Sequence, residues 1–340
     1  MRTPAGSSAS SASGRVRALL GRHEFVLVLV LVLEVVIFNA VGRRFLTADN
    51  VANIVRQSVE IGLLALVMTP IILTGGIDLS LGSLIGLCAV VFGMLWGDCG
   101  LSPWMASGGA ILVGVLGGAV NAALITRLEL PPLIVTLGTF SLFRGLAEAA
   151  TGGTRAFTGF PESFLSLGNG FALGVPVQAW IFLVVAIALW LLVHRTTAGR
   201  SFRAIGFSPE GSRYAGLPVR GRLSLAYLLA GGVAGLAAVI FVSRVTEARA
   251  NAGTGHELAA ITAVVLGGTS IFGGRGSIAG TLLGVATVAV LSNGLSRILS
   301  ITAISRELSG ILTGALLIGA LAAASLTGKL AARKGRRGGA

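Results

Sequence analysis

Apolar residues in this chain come in continuous runs of roughly 16 to 24, each near the ~20 needed to cross a hydrocarbon core as a helix. Composition says the same: only 11% of the 340 residues are charged, 54% are hydrophobic, and the mean hydropathy is +0.89. A soluble domain averages about 25% charged residues, so this chain has too little polar surface to cover itself in water. Its solvent is the bilayer, and the fold class is an all-α polytopic membrane protein.

The pattern predicts about ten spans, at about 24–41, 53–73, 80–97, 103–125, 131–150, 176–194, 223–243, 257–272, 277–297 and 307–325. Residues 1–22 read as a disordered basic tail, 23–326 as one transmembrane domain, and 327–340 as a second basic tail. Arg15, Arg17 and Arg22 precede the first apolar run as in a signal peptide, but no small-x-small cleavage site closes it. It reads as a retained helix. An amino terminus placed inside puts most of the 26 Lys and Arg on the cytoplasmic side, notably the six Arg between 195 and 222. Both termini are therefore expected in the cytoplasm of an inner or plasma membrane; Arg43 and Arg44 run against the rule.

The formal charge of +13 does not point to nucleic acid, because the basic residues sit between and beyond the apolar runs, as topology signals do. Cys88 and Cys99 form no metal-ligand spacing or paired framework. No G-x-x-x-x-G-K-[ST], H-E-x-x-H or G-x-S-x-G occurs, and Gly274-x-Gly276-x-x-Ala279 lies between hydrophobic helices rather than after a strand. The residues give no enzyme, cofactor or metal site.

Ionisable residues in or beside spans are costly in lipid and mark paths or buried pairs. Here they are Glu34, Arg56, Glu60, Asp78, Arg144 and Glu148. Arg56/Glu60 and Arg144/Glu148 are each spaced i, i+4 and are expected to pair on their own helices. Asp78 or Ser80, ahead of the third span, suits a helix cap. Candidates for the gate or the path are Asp78, Glu60, Asn121, Thr136, Arg144 and Glu148. Glycines at four-residue spacing, such as Gly82/Gly86, Gly114/Gly118, Gly231/Gly235, Gly276/Gly280/Gly284 and Gly310/Gly314, read as close helix packing, with a role in the gate as the alternative. Thr74-Gly75-Gly76 and Gly273-Gly274-Arg275-Gly276 read as tight, partly buried turns.

The segment between the sixth and seventh spans carries the most information. Gly199-Arg200 opens a short amphipathic stretch bearing Phe202, Ala204 and Ile205, which Gly206 is expected to break. Ser208-Pro209-Glu210 supplies a cap, an N1 proline and a first-turn acid for a second short helix, with Tyr214, Ala215 and Leu217 as its apolar face. A solvated loop held by charge alone would not need apolar faces, so the segment reads as a docking surface for another protein.

At this segment the chain resembles the ribose- and galactose-type permeases of ABC sugar importers. It keeps Gly199, Arg200, Ala204, Gly206, Gly216 and Val219 of their internal loop, and departs at Ser208, Gly211, Ser212 and Ala215-Gly216-Leu217. LTGGIDLSLGS (Leu73 to Ser83), Pro131 to Thr139 and LGGTSIFGGRGSIAGTLLG (Leu266 to Gly284) also resemble family motifs, in order. Details such as Thr151-Gly152-Gly153, Gly199 to Phe202 and Gly253-Thr254-Gly255 look closest to the branch moving rhamnose or autoinducer-2.

The resemblance implies a permease driven by a cytoplasmic ABC ATPase and fed by an extracytoplasmic sugar-binding protein. It implies a second permease, copy or paralogue, beside this one. The loop 195–222 becomes the coupling element, with Gly199, Arg200, Phe202, Ala204, Gly206, Glu210, Tyr214 and Gly216 as coupling candidates. The alternatives are an ion-coupled transporter acting alone, using Glu34, Glu60, Asp78 or Glu148, and an ABC permease for branched-chain amino acids.

Overall fold

A computed structural model describes residues 23–41 and 45–301. The expected tail 1–22, Arg43 and Arg44, the tenth span with Gly310/Gly314, and the tail 327–340 lie outside the described residues. The helices are α1 (His23–Val41), α2 (Ala48–Leu73), α3 (Leu81–Gly97), α4 (Pro103–Arg127), α5 (Pro132–Thr151), α6 (Glu162–Asn169), α7 (Val177–Arg195), α8 (Thr197–Phe207), α9 (Pro209–Tyr214), α10 (Val219–Val245), α11 (His256–Leu266) and α12 (Ile278–Ile301). A two-residue hairpin, β1 (Phe171–Ala172) with β2 (Val175–Pro176), follows α6.

Among the described residues, seven helices are long and apolar enough to cross a membrane: α1, α2, α4, α5, α7, α10 and α12. The expected third and eighth spans are shorter than that. α3 has 17 residues and α11 only 11, about 16 Å of helix for α11 against a core of ~30 Å. The eighth span ends six residues early because Gly267 caps α11 and Gly268 turns left-handed at φ 87°. A hydropathy run reads straight through such glycines. Other helices outgrow their expected limits. α2 begins at Ala48, five residues before its expected start at 53, where Thr47 caps it by accepting from Asn50 N at 3.4 Å.

The core is built around α2. From Gly62 to Leu73 it is buried on every side, which is how a helix apolar all round is accommodated. α4 and α10 cross where Gly114 and Gly118 meet Gly231 and Gly235. A Cβ placed on Gly231 would stand 2.8 Å from the Gly118 nitrogen, and one on Gly118 would stand 3.1 Å from the Gly231 Cα. α11 and α12 meet in the same way through Gly267, Gly280 and Gly284, a Cβ on Gly284 standing 3.0 Å from the Gly267 nitrogen. At Gly114/Gly118, Gly231/Gly235 and Gly280/Gly284 the four-residue spacing is therefore backbone-to-backbone packing.

Candidate functional site

One end of the bundle is closed by α8 and α9. Thr196 caps α8, its hydroxyl accepting from Gly199 N at 3.5 Å, and Gly199 fits the corner because a side chain there would strike the Val193 carbonyl. Ser201, Phe202 and Ile205 are buried on the inner face of α8, with Ala204 half-buried beside them. Gly206 does not break this helix, which runs on to Phe207. Its missing side chain serves a close approach instead. A Cβ on Gly206 would collide with the Leu73 carbonyl and the Gly274 N–H, two groups hydrogen-bonded to each other at 2.9 Å. The Thr74–Gly76 and Gly273–Gly276 turns are thus fastened together directly beneath α8.

α9 starts as its sequence dictates. Ser208 is the N-cap and accepts from Gly211 N at 3.0 Å, with Pro209 at N1 and Glu210 in the first turn. Arg200, Glu210, Tyr214 and Gly216 all face outward, Tyr214 at 94% exposure and Gly216 in a left-handed turn of φ 75°. Sequence reasoning missed two companions. Phe207 is 66% exposed with the Arg275 guanidinium 5.9 Å from its ring centroid, and Phe272 on the turn after α11 is 91% exposed. Phe207, Tyr214 and Phe272 thus leave three aromatic rings uncovered on α8, α9 and the turn after α11. Arg220 (2.9 Å) and Arg213 (3.6 Å) also reach Glu129 in the α4–α5 turn. The Arg220 hydrogen bond first, then the two charges, hold its carboxyl below the usual carboxylate range.

Deeper in, three path candidates converge. Asp78 Oδ1 accepts from the Ser80 N–H at 2.9 Å and the Ser80 hydroxyl at 2.6 Å. Asn121 Nδ2 donates to Ser80 Oγ at 2.8 Å, while its Oδ1 accepts from Thr139 at 2.7 Å. Thr136 donates to the Ile77 carbonyl at 3.2 Å. The non-helical stretch before α3 is thereby tied to α4 and α5 by polar groups that satisfy one another. Ser80 occupies the cap position without a side-chain cap bond; Asp78 closes the turn ahead of it instead.

The other three candidates lie toward the opposite end, where both expected i, i+4 pairs are replaced by distant partners. Glu60 is fully buried and bonds Arg244 of α10 at 2.7 Å. Arg56 donates to the Asn169 carbonyl at 2.8 Å and lies over the Phe171 ring. Arg144 bonds the Ala250 carbonyl, and Glu148 is exposed. Tertiary contacts across 184 and 106 residues outcompete same-helix pairing, which is worth only about 0.2–0.5 kcal/mol. Glu34 on α1 keeps one carboxyl oxygen buried and unpartnered.

The comparisons with known proteins agree on one family. The model described as "Branched-chain amino acid transport system / permease component" matches residues 50–321. The autoinducer 2 import system permease protein LsrD of Escherichia coli (strain K12) is 39% identical over 300 residues, covering 87% of this chain and 89% of that protein. Its counterpart in Yersinia enterocolitica (serotype O:8) is 40% identical over 301 residues, 87% of this chain and 91% of that one. The Shigella flexneri protein of the same name is 39% identical over 300 residues. No solved structure matches the chain significantly.

Proposed function

The chain belongs to the permease-component family of ABC importers, and we propose that it carries a small polyhydroxylated cargo, autoinducer 2 or a related monosaccharide, driven in trans by an ATPase. Two relatives near 40% identity over 87% of the chain are named for autoinducer 2. That favours this cargo over the branched-chain amino acids of the broader family description.

In this reading ATP hydrolysis belongs to a cytoplasmic partner, cargo arrives on a binding protein at the outer face, and a second permease completes the path. The end bearing α8 and α9 faces the cytoplasm, together with both termini, as the arginine distribution favours. The ATPase engages Phe207, Tyr214 and Phe272, with Arg200 and Glu210 beside them. Its movement reaches the spans through α8, which rests on the two glycine turns, one leading to the polar network at α3 and the other to α12. The single observation that carries this reading is Gly206 lying against Leu73 and Gly274, because it makes α8 a lever rather than a solvated loop. Asp78, Asn121 and Thr136 would move with it, while Glu60, Arg144 and Glu148 would belong to the outer half of the path.

The test is reconstitution of the chain with its ATPase and binding protein. Binding protein loaded with autoinducer 2 should stimulate ATP hydrolysis, and leucine-loaded protein should not. Uptake by the chain alone under an ion gradient would overturn the reading.

A further inference from the structure

α11 is too short to span a bilayer, so one of its ends lies within it. The segment 246–257 descends along the bundle from the α6 end. Ala248 pairs with Phe157 beyond α5, Ala250 meets Arg144 inside α5, and Gly253 and Glu257 reach the first turn of α3 at Gly82. The N-termini of two short helices, α3 and α11, thus meet in the interior, an arrangement that favours polar ligand groups at membrane depth.

Two side chains there have unfilled valences. Glu257 is 6% exposed, and its Oε2 has no hydrogen-bond partner. Arg144 gives Nη1 to the Ala250 carbonyl, while its Nη2 is buried and unpartnered. Their charges act on each other, yet no ion pair closes between them among the described residues, whereas Glu60 and Arg244 nearby do close one at 2.7 Å. Gly82 and Gly86 of α3 give these side chains room to enter: a Cβ on Gly82 would strike the Glu257 carboxylate, and one on Gly86 would stand 2.9 Å from Arg144 Nη1. Gly138 and Gly145 of α5 have no neighbour within 4 Å of a Cβ position.

A buried donor and a buried acceptor of opposite charge, held apart, are expensive unless a third group joins them at some stage of the cycle. The geometry points to Arg144 and Glu257 as a hydroxyl-reading subsite on the path, which takes a vicinal diol. One hydroxyl accepts from Arg144 Nη2, and its neighbour donates to Glu257 Oε2. This rests on the cargo reading above and adds to it a place where the permease itself distinguishes one polyol from another.

The test compares Glu257→Gln and Arg144→Lys with the native chain in the complete reconstituted complex. The probes are autoinducer 2 and an analogue lacking one of its hydroxyls, each presented on saturating binding protein, so that only the permease step is compared. The native complex should move the parent on the order of ten-fold faster than the analogue, the loss expected for a missing hydrogen bond to a charged group. That ratio should fall to within about two-fold in both variants. Arg144→Lys retains the charge but replaces the planar two-nitrogen fork with a single ammonium nitrogen, so it reports even where Glu257→Gln fails to insert. A ratio unchanged in the variants, with both rates lowered in parallel, assigns the pair a structural role and overturns the proposal. So does competition by free leucine, whose ammonium and carboxylate would satisfy the same two groups. A native complex that moves neither probe refutes the cargo reading and the subsite with it; native discrimination that survives both variants refutes the subsite alone.

Discussion

Replacing Gly206 with alanine should lift α8 from the transmembrane core. The new methyl group would need the space held by the Leu73 carbonyl and the Gly274 N–H, and it would stand 3.1 Å from the Gly273 carbonyl carbon. None of these is the end of a flexible side chain, so α8 must lift or both turns must shift. Overpacking of this kind costs about 1–3 kcal/mol. Losing the 2.9 Å bond between Gly274 and Leu73 adds about 0.5–1.5 kcal/mol, for roughly 1.5–4.5 kcal/mol in all. The assay has two arms: thermal unfolding of the detergent-purified chain, and cargo moved per ATP hydrolysed in the reconstituted complex. Gly206→Ala should lower both. Arg200→Ala, which removes an exposed side chain, should leave the unfolding temperature within error and lower only the transport ratio. Native unfolding and native coupling in Gly206→Ala would refute the claim that this contact transmits force.

Four further outcomes follow from the packing. Gly231→Leu should prevent α4 and α10 from closing, because its side chain would meet the backbone of Gly114 and Gly118; little folded chain should survive detergent extraction, against normal recovery for Gly221→Leu, whose Cβ has open space. Glu60→Ala leaves Arg244 half-buried without its carboxylate, a change worth about 3–5 kcal/mol when a buried pair loses one partner. It should lower the unfolding temperature more than Glu148→Ala does. Asn121→Ala removes the partner of both Ser80 and Thr139 and should cost about 1–3 kcal/mol, read as faster hydrogen exchange in residues 77–83. Glu129→Arg should weaken the contact with Arg213 and Arg220, and Glu129→Arg combined with Arg220→Glu should restore uptake.

Much of this architecture is legible in the sequence because local physics fixes it. The α9 cap needs only Ser208, Pro209 and Glu210 in register, and the glycine spacing that joins α4 to α10 is visible one helix at a time. What the sequence hides is chosen by tertiary contact. Nothing near Glu60 announces Arg244, and nothing near Arg144 announces the Ala250 carbonyl, so the i, i+4 rule selected the wrong partners for both. Gly206 looks like a helix breaker because glycine is a poor helix former, yet its role is to let two backbones touch. The convergence of Asp78, Asn121 and Thr136 was equally hidden, since their polar character was visible and their shared depth was not. Phe207 at the end of α8 and Phe272 in a turn are hidden because single apolar residues carry no signal until their exposure is known.

Site-specific photo-crosslinking tests most directly the claim that this permease is driven through α8 and α9. A photoreactive residue would replace Phe207, Tyr214, Phe272 or, at the opposite end, Leu173, which is 91% exposed. Membranes carrying the full complex should yield adducts with the ATPase subunit from positions 207, 214 and 272 and none from 173. Absence of ATPase adducts from all three positions, or an equal yield from 173, would contradict the account.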